Sequence, residues 1–207
     1  PAPPPAESAQ LPPPVAGRSE VVEPVSGIVR VRRRGTRRFV RLRAGQLLPD
    51  RSEVDATRGV VRIVVAAVRD GSATASVLLS EGRAVIDQNR ARRPRTTLPL
   101  SGPLTCRREG RASTAAQKRK RKRKRARKRS IFTQTDGGRF RSRGNHAAAT
   151  ASGTAWRTTD RCASTRIDVR EGTVRVRDLV RRRRVVVRAP DSYTARKRAA
   201  RRPARRG

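Results

Sequence analysis

The stretch Gly27-Ile-Val-Arg-Val-Arg32 recurs later in the chain as Gly172-Thr-Val-Arg-Val-Arg177, at an offset of 145 residues. At the same offset, Val40-Arg-Leu-Arg-Ala44 has a counterpart in Val185-Val-Val-Arg-Ala189. In each copy a glycine precedes valines that alternate with arginines, and this period of two is typical of a β-strand with one buried face and one face in water. We therefore interpret the two copies as corresponding hairpins within one β-domain.

Further strand patterns follow the first copy. Val60 to Val68 is the most continuous β-branched run, which predicts a central strand buried on both faces. Asp70-Gly71 is a hairpin turn signal, and Ala75 to Leu79 is the expected return strand. The first half of the chain is thus predicted to consist of antiparallel hairpins.

The same pattern returns in the second half. Ile131 to Thr135 and Arg139 to Arg143 flank Asp136-Gly137-Gly138, which predicts a hairpin. His146 to Ser152 is rich in alanine and has helix propensity, but it runs without a cap into an alternating segment, so we predict a strand. Short strands separated by glycine turns predict an all-β fold, either a sandwich or a short solenoid of antiparallel hairpins.

Composition divides the chain into one β-domain and three segments that lack a core. Residues 1–14 contain seven prolines, and residues 107–130 contain fourteen Lys or Arg against one Glu. Neither composition supplies the apolar side chains of a core. Of the few aromatic residues, Phe39 and Trp156 are expected to anchor the core. The predicted organisation is a Pro-rich disordered tether (1–20), the first half of the β-domain (21–105), a disordered Lys/Arg-rich insertion (106–130), the second half of the β-domain (131–195) and a disordered basic tail (196–207).

The formal net charge is +37, from 53 basic and 16 acidic residues. Such a charge attracts polyanions through Coulomb forces and counterion release. Five of the six lysines lie in one block, which we predict to bind nucleic acid, teichoic acid or anionic lipid head groups. Two other interpretations stay open. The block can be a solvated linker without a ligand, and the excess of arginine on the strands can reflect GC-rich codons. The predicted polyanion-binding residues are Lys118, Arg119, Lys120, Arg121, Lys122, Arg123, Lys124, Arg125, Arg127, Lys128 and Arg129.

The chain has two cysteines, Cys106 and Cys162, which lie 56 residues apart. Without a pair of histidines they are too few for a zinc site. In an exported chain they would pair with each other, whereas in a cytosolic protein they would be two unrelated thiols. The sequence has no initiator Met, no apolar run of membrane-spanning length and no signal-peptide core, so we expect a mature form or an excerpt.

Residues that would indicate an enzyme are few. His146 is the one histidine, and its neighbours offer no group to orient it as a general base. Glu53 and Asp55 lie on one face of a predicted strand, where ion pairs with arginine are the simplest interpretation. Gly137-Gly138 lacks the helix and lysine of a nucleotide-binding loop. We therefore expect no enzyme activity, no cofactor, no metal site and no small-molecule substrate.

Taken together, several of these motifs resemble the FecR domain. The resemblance covers residues 24–105 and 131–195, and the chain departs from the family pattern at Pro190-Asp191, where a glycine is expected, and by its basic insertion. In the second half the matching motifs are Gly153-Thr154 with Trp156 two residues on, Val169-Arg-Glu-Gly172-Thr-Val-Arg-Val176, and a closing Val-Arg-Ala189. In the first half they are Gly27-x-Val-x-Val31, Leu42-x-Ala-Gly45-Gln46, Val54-x-x-Thr57 and Val61-Arg-Ile63.

The resemblance implies a periplasmic or extracellular module that contacts a receptor and that, in the best-known members, is joined by a membrane helix to a sigma-factor regulator. The Arg-rich, two-cysteine form is similar to exported actinobacterial versions of the domain. The first hypothesis is therefore a non-enzymatic, exported sensor or binding module for an envelope or membrane partner protein or an anionic envelope polymer. The alternative is an intracellular nucleic-acid-binding protein with a small basic β-core and polybasic extensions.

Overall fold

The computed structural model describes residues 11–106 and 128–198, and this part of the chain is all β, without a helix. The first half contributes β1 (Ser19–Arg32), β2 (Val40–Arg41), β3 (Gln46–Pro49), β4 (Glu53–Ala66), β5 (Thr74–Ser80), β6 (Arg83–Val85), β7 (Asp87–Gln88) and β8 (Thr96–Pro99). The second half contributes β9 (Lys128–Asp136), β10 (Phe140–Arg143), β11 (Ala147–Ala151), β12 (Ala155–Arg161), β13 (Ser164–Glu171), β14 (Thr173–Asp178), β15 (Arg184–Arg188) and β16 (Ser192–Arg196).

The strands form two sheets that pack in a sandwich-like arrangement, one of the two predicted architectures. The ten-stranded sheet has the order β16-β13-β12-β9-β5-β4-β1-β2, with β3 also paired to β1 and β6 to β4. The six-stranded sheet has the order β15-β14-β11-β10-β8-β7. All these pairs are antiparallel except β8 with β10.

The core between the sheets contains the largest aromatic side chains. Trp156 and Phe140 are fully buried, so the prediction for Trp156 is confirmed. The indole Nε1–H of Trp156, on β12, donates to Ser142 Oγ on β10 at 2.8 Å, which links the two sheets through a satisfied polar group. The prediction for Phe39 is wrong: its half-buried ring is flanked by the Arg32 and Arg83 guanidinium groups, 5.0 and 5.2 Å from the ring centroid.

The repeated sequence forms the same hairpin twice. Val31 pairs with Val40 across β1 and β2, and Val176 pairs with Val185 across β14 and β15. The offset of 145 residues relates both partners of each pair, so the register of the two hairpins is identical. The interpretation of the two segments as corresponding hairpins is confirmed.

The symmetry extends beyond the sequence repeat. In the ten-stranded sheet, β3-β1-β4-β5 is followed by β9-β12-β13-β16, so the hydrogen-bonding order is symmetric about the antiparallel β5–β9 pair. The strands follow a different order along the chain in the two sets. In the first half β1 comes first and β5, next to the centre, comes last, whereas in the second half β9, next to the centre, comes first.

Two strand predictions need correction. The segments 131–135 and 139–143 do not form a hairpin, since β9 pairs with β5 and β12 whereas β10 pairs with β8 and β11. Gly137 and Gly138, with φ of 65° and 63°, carry the chain from one sheet to the other. The prediction that the strand at Val60 to Val68 is buried on both faces is also wrong. On β4 the side chain of Arg62 is exposed to solvent, between the buried side chains of Val61 and Ile63. The alanine-rich segment is the predicted strand, β11.

Candidate anion-binding surface

The outer face of the six-stranded sheet carries a dense group of arginines. We call this surface the arginine face. Four of its arginines form two columns, one on β10 and one on β14. The strand between them, β11, carries small side chains. Since adjacent strands lie about 4.8 Å apart, the two columns are roughly 10 Å apart. The arginine face comprises Arg95, Arg141, Arg143, Arg175, Arg177 and Arg184.

Cross-strand register aligns these arginines in rows. In one row, Arg143 lies opposite Ala148, Ala148 opposite Arg177, and Arg177 opposite Arg184. Ala148 points outward yet is only 1% exposed, and we attribute its burial to the aliphatic stems of the arginines on both sides. The stems of the arginines thus cover Ala148, while the side chains of Arg143, Arg177 and Arg184 stay exposed to solvent.

Arg141 lies at the centre of the arginine face. Burial lowers its pKa, and the positive charges of Arg95, Arg177 and Arg143 lower it further. The Nε atoms of Arg141 and of Arg95 are buried and have no hydrogen-bond partner among the described residues. An arginine stays protonated under these conditions, so the surface brings together positive charges that repel one another and that a bound anion would compensate.

The outer face of the ten-stranded sheet differs, because several of its arginines are paired. Arg157 donates to both carboxylate oxygens of Glu81 at 2.7 and 2.5 Å, and this hydrogen bonding raises its pKa. Arg166 donates to Asp168 at 2.7 Å. On the six strands that carry the arginine face, Asp87 at the β7 edge is the outward-facing carboxylate. Among the described residues, no arginine on the six-stranded sheet forms an ion pair, whereas the ten-stranded sheet carries paired arginines together with unpaired ones such as Arg58, Arg62 and Arg170.

Most of the predicted polyanion-binding block, Lys118 to Arg127, lies outside the described residues. Lys128 is exposed at the start of β9, so the last residues of the range 106–130 belong to a strand. Arg129 has a structural role: its Nε and Nη2 donate to Asp160 Oδ2 at 3.2 and 2.9 Å. A further bond from Nη2 goes to Asn145 Oδ1 at 2.9 Å.

The two cysteines form a disulfide, with a Cα–Cα distance of 5.3 Å. Cys162 lies in the turn between β12 and β13, two residues after Asp160. The insertion is therefore fixed to this turn at both ends, by Cys106 on one side and by Arg129 on the other. The pairing agrees with the prediction made for an exported chain.

The residues considered for catalysis do not assemble into a reactive group. Glu53 forms an ion pair with Arg32, and Asp55 forms one with Arg83 at 2.8 Å, as predicted. His146 is half-buried, and its backbone N–H donates to Thr165 Oγ1. Within residues 11–106 and 128–198, no group of three His, Cys, Asp or Glu is placed to hold a metal ion. The same residues include no helix long and apolar enough to cross a membrane.

Sequence reasoning missed a buried carboxyl group. Glu20 is 0% exposed, and both its carboxyl oxygens lack a donor among the described residues. Burial raises its pKa to about 9, and the neighbouring carboxyl groups of Asp50 and Asp87 raise it in the same direction. Glu20 is therefore protonated at neutral pH. The sequence around Ser19-Glu20-Val21 has no alternating polar and apolar pattern that would distinguish the buried Glu20 from a surface glutamate.

The sequence also failed to single out the arginine face. Its arginines alternate with apolar residues on β10 and β14, as on many strands of this chain. Only the pairing of β10, β11 and β14 brings them together, and pairing between distant strands is not encoded locally. Comparison of the chain with protein-family models, with curated proteins and with solved structures found no match.

Proposed function

We propose that the chain is a non-enzymatic, exported FecR-like β-domain that binds an anionic polymer of the cell envelope through the arginine face. The observation that carries the proposal is the position of Arg141, partly buried in a cluster of like charges from Arg95, Arg143 and Arg177. A polyanion laid across the columns would pair with the guanidinium charges of this cluster and release its counterions.

The contrast between the two sheets supports a selected role for the arginines. Codon bias would place arginines on both outer faces with equal numbers of carboxylate partners. Instead five arginines on the ten-stranded sheet have such partners, beside unpaired ones such as Arg58 and Arg62, whereas no arginine on the six-stranded sheet forms an ion pair with a described residue. A face that keeps its positive charge uncompensated is suited to a negatively charged partner.

The location in the envelope rests on the disulfide and on the FecR resemblance. A disulfide is compatible with an oxidising compartment, where teichoic-acid-like polymers and anionic lipids are the abundant polyanions. Nucleic acid is the competing ligand. Three Phe, one Tyr and one Trp provide little surface for base stacking, and Trp156 and Phe140 are buried in the core.

The test is a binding titration of poly(glycerol phosphate) with the oxidised full chain over a range of salt concentrations. The variant R141Q/R143Q/R177Q removes three charges from the arginine face. R58Q/R62Q/R170Q is the matched control, since it removes three exposed charges from the ten-stranded sheet. We expect the first variant to reduce the slope of log K against log salt by about 2 to 3, with less change in the control.

Two results would overturn the proposal. Equal losses in the two variants would show that affinity follows total charge, with no contribution from the position of the arginines. Tighter binding to a 20-nucleotide DNA duplex than to the glycerol phosphate polymer at equal salt would favour a nucleic-acid-binding protein. In a third variant, the lysines and arginines from Lys118 to Arg127 are changed to glutamine. This variant distinguishes binding by the insertion from binding by the arginine face, because the contribution of the arginine face to the slope of log K against log salt should remain.

A further inference from the structure

A second basic surface lies on the other sheet, at the tip of the β12–β13 hairpin. It is a groove of about 370 Å³, which we call the hairpin groove. Three strands contribute to it, namely β12, β13 and the edge strand β16. The residues that line the groove are Arg161, Ala163, Ser164, Arg166, Thr194 and Arg196.

Cross-strand register alternates arginines with hydroxyl side chains across this surface. Ser164 lies between Arg161 and Arg196, its neighbours on β12 and β16. In the adjacent row the order is reversed, because Arg166 lies between Thr159 and Thr194. Like charges directly opposite each other destabilise a sheet, and the hydroxyl residues keep the guanidinium groups apart.

The donors of this surface match an oxyanion. Guanidinium groups present planar pairs of N–H donors, and serine and threonine add O–H donors. No carboxylate lines the groove, and Arg161 and Arg196 form no ion pair with any described residue. Asp168 accepts a hydrogen bond from Nε of Arg166 at 2.7 Å and holds that side chain in position.

The groove is built on a rigid frame. Cys162 lies between Arg161 and Ala163 and forms the disulfide with Cys106. The backbone N–H of Lys197 donates to the carbonyl of Ala163 at 2.8 Å, which ties the end of β16 to the turn. Directly beneath, Asp160 and Thr165 are fully buried in the Arg129 network. Such fixation limits the entropy lost when a ligand binds.

From this geometry we infer that the hairpin groove binds a tetrahedral oxyanion, the phosphate or sulfate group of an ester. The groove is larger than a bare phosphate requires and has room for part of the group that carries it. The site is independent of the polymer proposal, because it lies on the ten-stranded sheet and uses none of the residues of the arginine face.

The experiment is an NMR titration of the oxidised full chain with inorganic phosphate and, in a second arm, inorganic sulfate, each against chloride at equal ionic strength. We expect saturable shifts of the Ala163 and Ser164 backbone amides with one of the two oxyanions. In R161Q/R196Q the affinity should fall by about tenfold or more, because two charged donors are lost. S164A/T194A should weaken binding by less.

Two controls decide whether the site is specific. R58Q/R62Q loses the same charge from the same sheet, and R141Q/R143Q/R177Q tests the arginine face; both should bind phosphate within about twofold of the unmodified chain. Shifts that do not saturate, that chloride reproduces, or that all three charge variants reduce equally would overturn the inference. The far-UV circular dichroism spectrum of each variant verifies that its fold is intact.

Discussion

Arg129 donates two hydrogen bonds to Asp160 Oδ2, at 3.2 and 2.9 Å, and Asp160 is 0% exposed. The carboxylate also accepts from the backbone N–H of Asn145 and from Thr165 Oγ1. Every acceptor position of this buried charge is therefore occupied. The ion pair joins the beginning of β9, where the insertion ends, to the end of β12.

The first prediction concerns this pair. Asp160→Asn should lower the free energy of unfolding by about 3 to 5 kcal/mol, because the positive charge of Arg129 loses its partner in a largely buried site. Urea denaturation followed by circular dichroism measures the change. The control is Glu81→Gln, which breaks the exposed pair with Arg157 and should cost about 1 kcal/mol or less. Similar losses in the two variants would contradict the prediction.

The second prediction concerns the disulfide. Cys106→Ser combined with Cys162→Ser opens a loop of 56 residues and should reduce stability by about 4 kcal/mol in the chain-entropy model. The comparison is the unmodified chain with and without a reducing agent, which should lose the same amount. A reduced chain as stable as the oxidised one would mean that the Arg129 network alone holds the turn.

The third prediction compares two glycines that the repeat makes equivalent. Gly27 and Gly172 have φ of 68° and 71°, so alanine is strained at both. At Gly27 the added Cβ would also lie 2.3 Å from the carbonyl oxygen of Arg58, whereas at Gly172 its closest contact is Thr154 Cγ2, at 2.6 Å. Backbone cannot rotate away as a side chain can, so Gly27→Ala should be the more destabilising.

Gly35 provides the matched control for these variants. Its φ is 81°, and an added Cβ there meets no atom within 4 Å. Gly35→Ala should therefore cost only the left-handed strain, about 1 to 2 kcal/mol. Thermal unfolding should rank the stability losses as Gly27, Gly172 and Gly35, in decreasing order. If Gly172→Ala is worse than Gly27→Ala, the close contact at Arg58 is not the determining factor.

How far the fold follows from the sequence depends on the range of the interaction. Alternation in Val29-Arg30-Val31 and a glycine at each bend predict the strands and hairpins, because these signals are local. The transition at Gly137-Gly138 from one sheet to the other was missed, since two adjacent strands joined by a glycine turn look like a hairpin in either case. The arginine face and the hairpin groove depend on register between distant strands, which no local pattern encodes.

The last prediction concerns Glu20 and the pH dependence of stability. The pKa of Glu20 rises from 4.5 to about 9 on folding, chiefly because the side chain is buried. Between these two values the folded chain retains a proton that the unfolded chain releases, so this group makes stability fall as pH rises. The expected slope is about 1.4 kcal/mol per pH unit from one group. Below pH 4.5 the carboxyl is protonated in both states and has no such effect.

Glu20→Gln should remove this decline, because the amide is neutral at every pH and its N–H can donate to Asp50. Urea denaturation at pH 4 and pH 8 should show little difference between the variant and the unmodified chain at the lower pH, and a gain of roughly 3 to 5 kcal/mol for the variant at the higher pH. The control is Asp70→Asn, since the pKa of Asp70 is lowered by hydrogen bonds from Ser72 and affects only the acid limb. A variant of Glu20 that keeps the original slope between pH 5 and pH 8 would place the titrating group elsewhere.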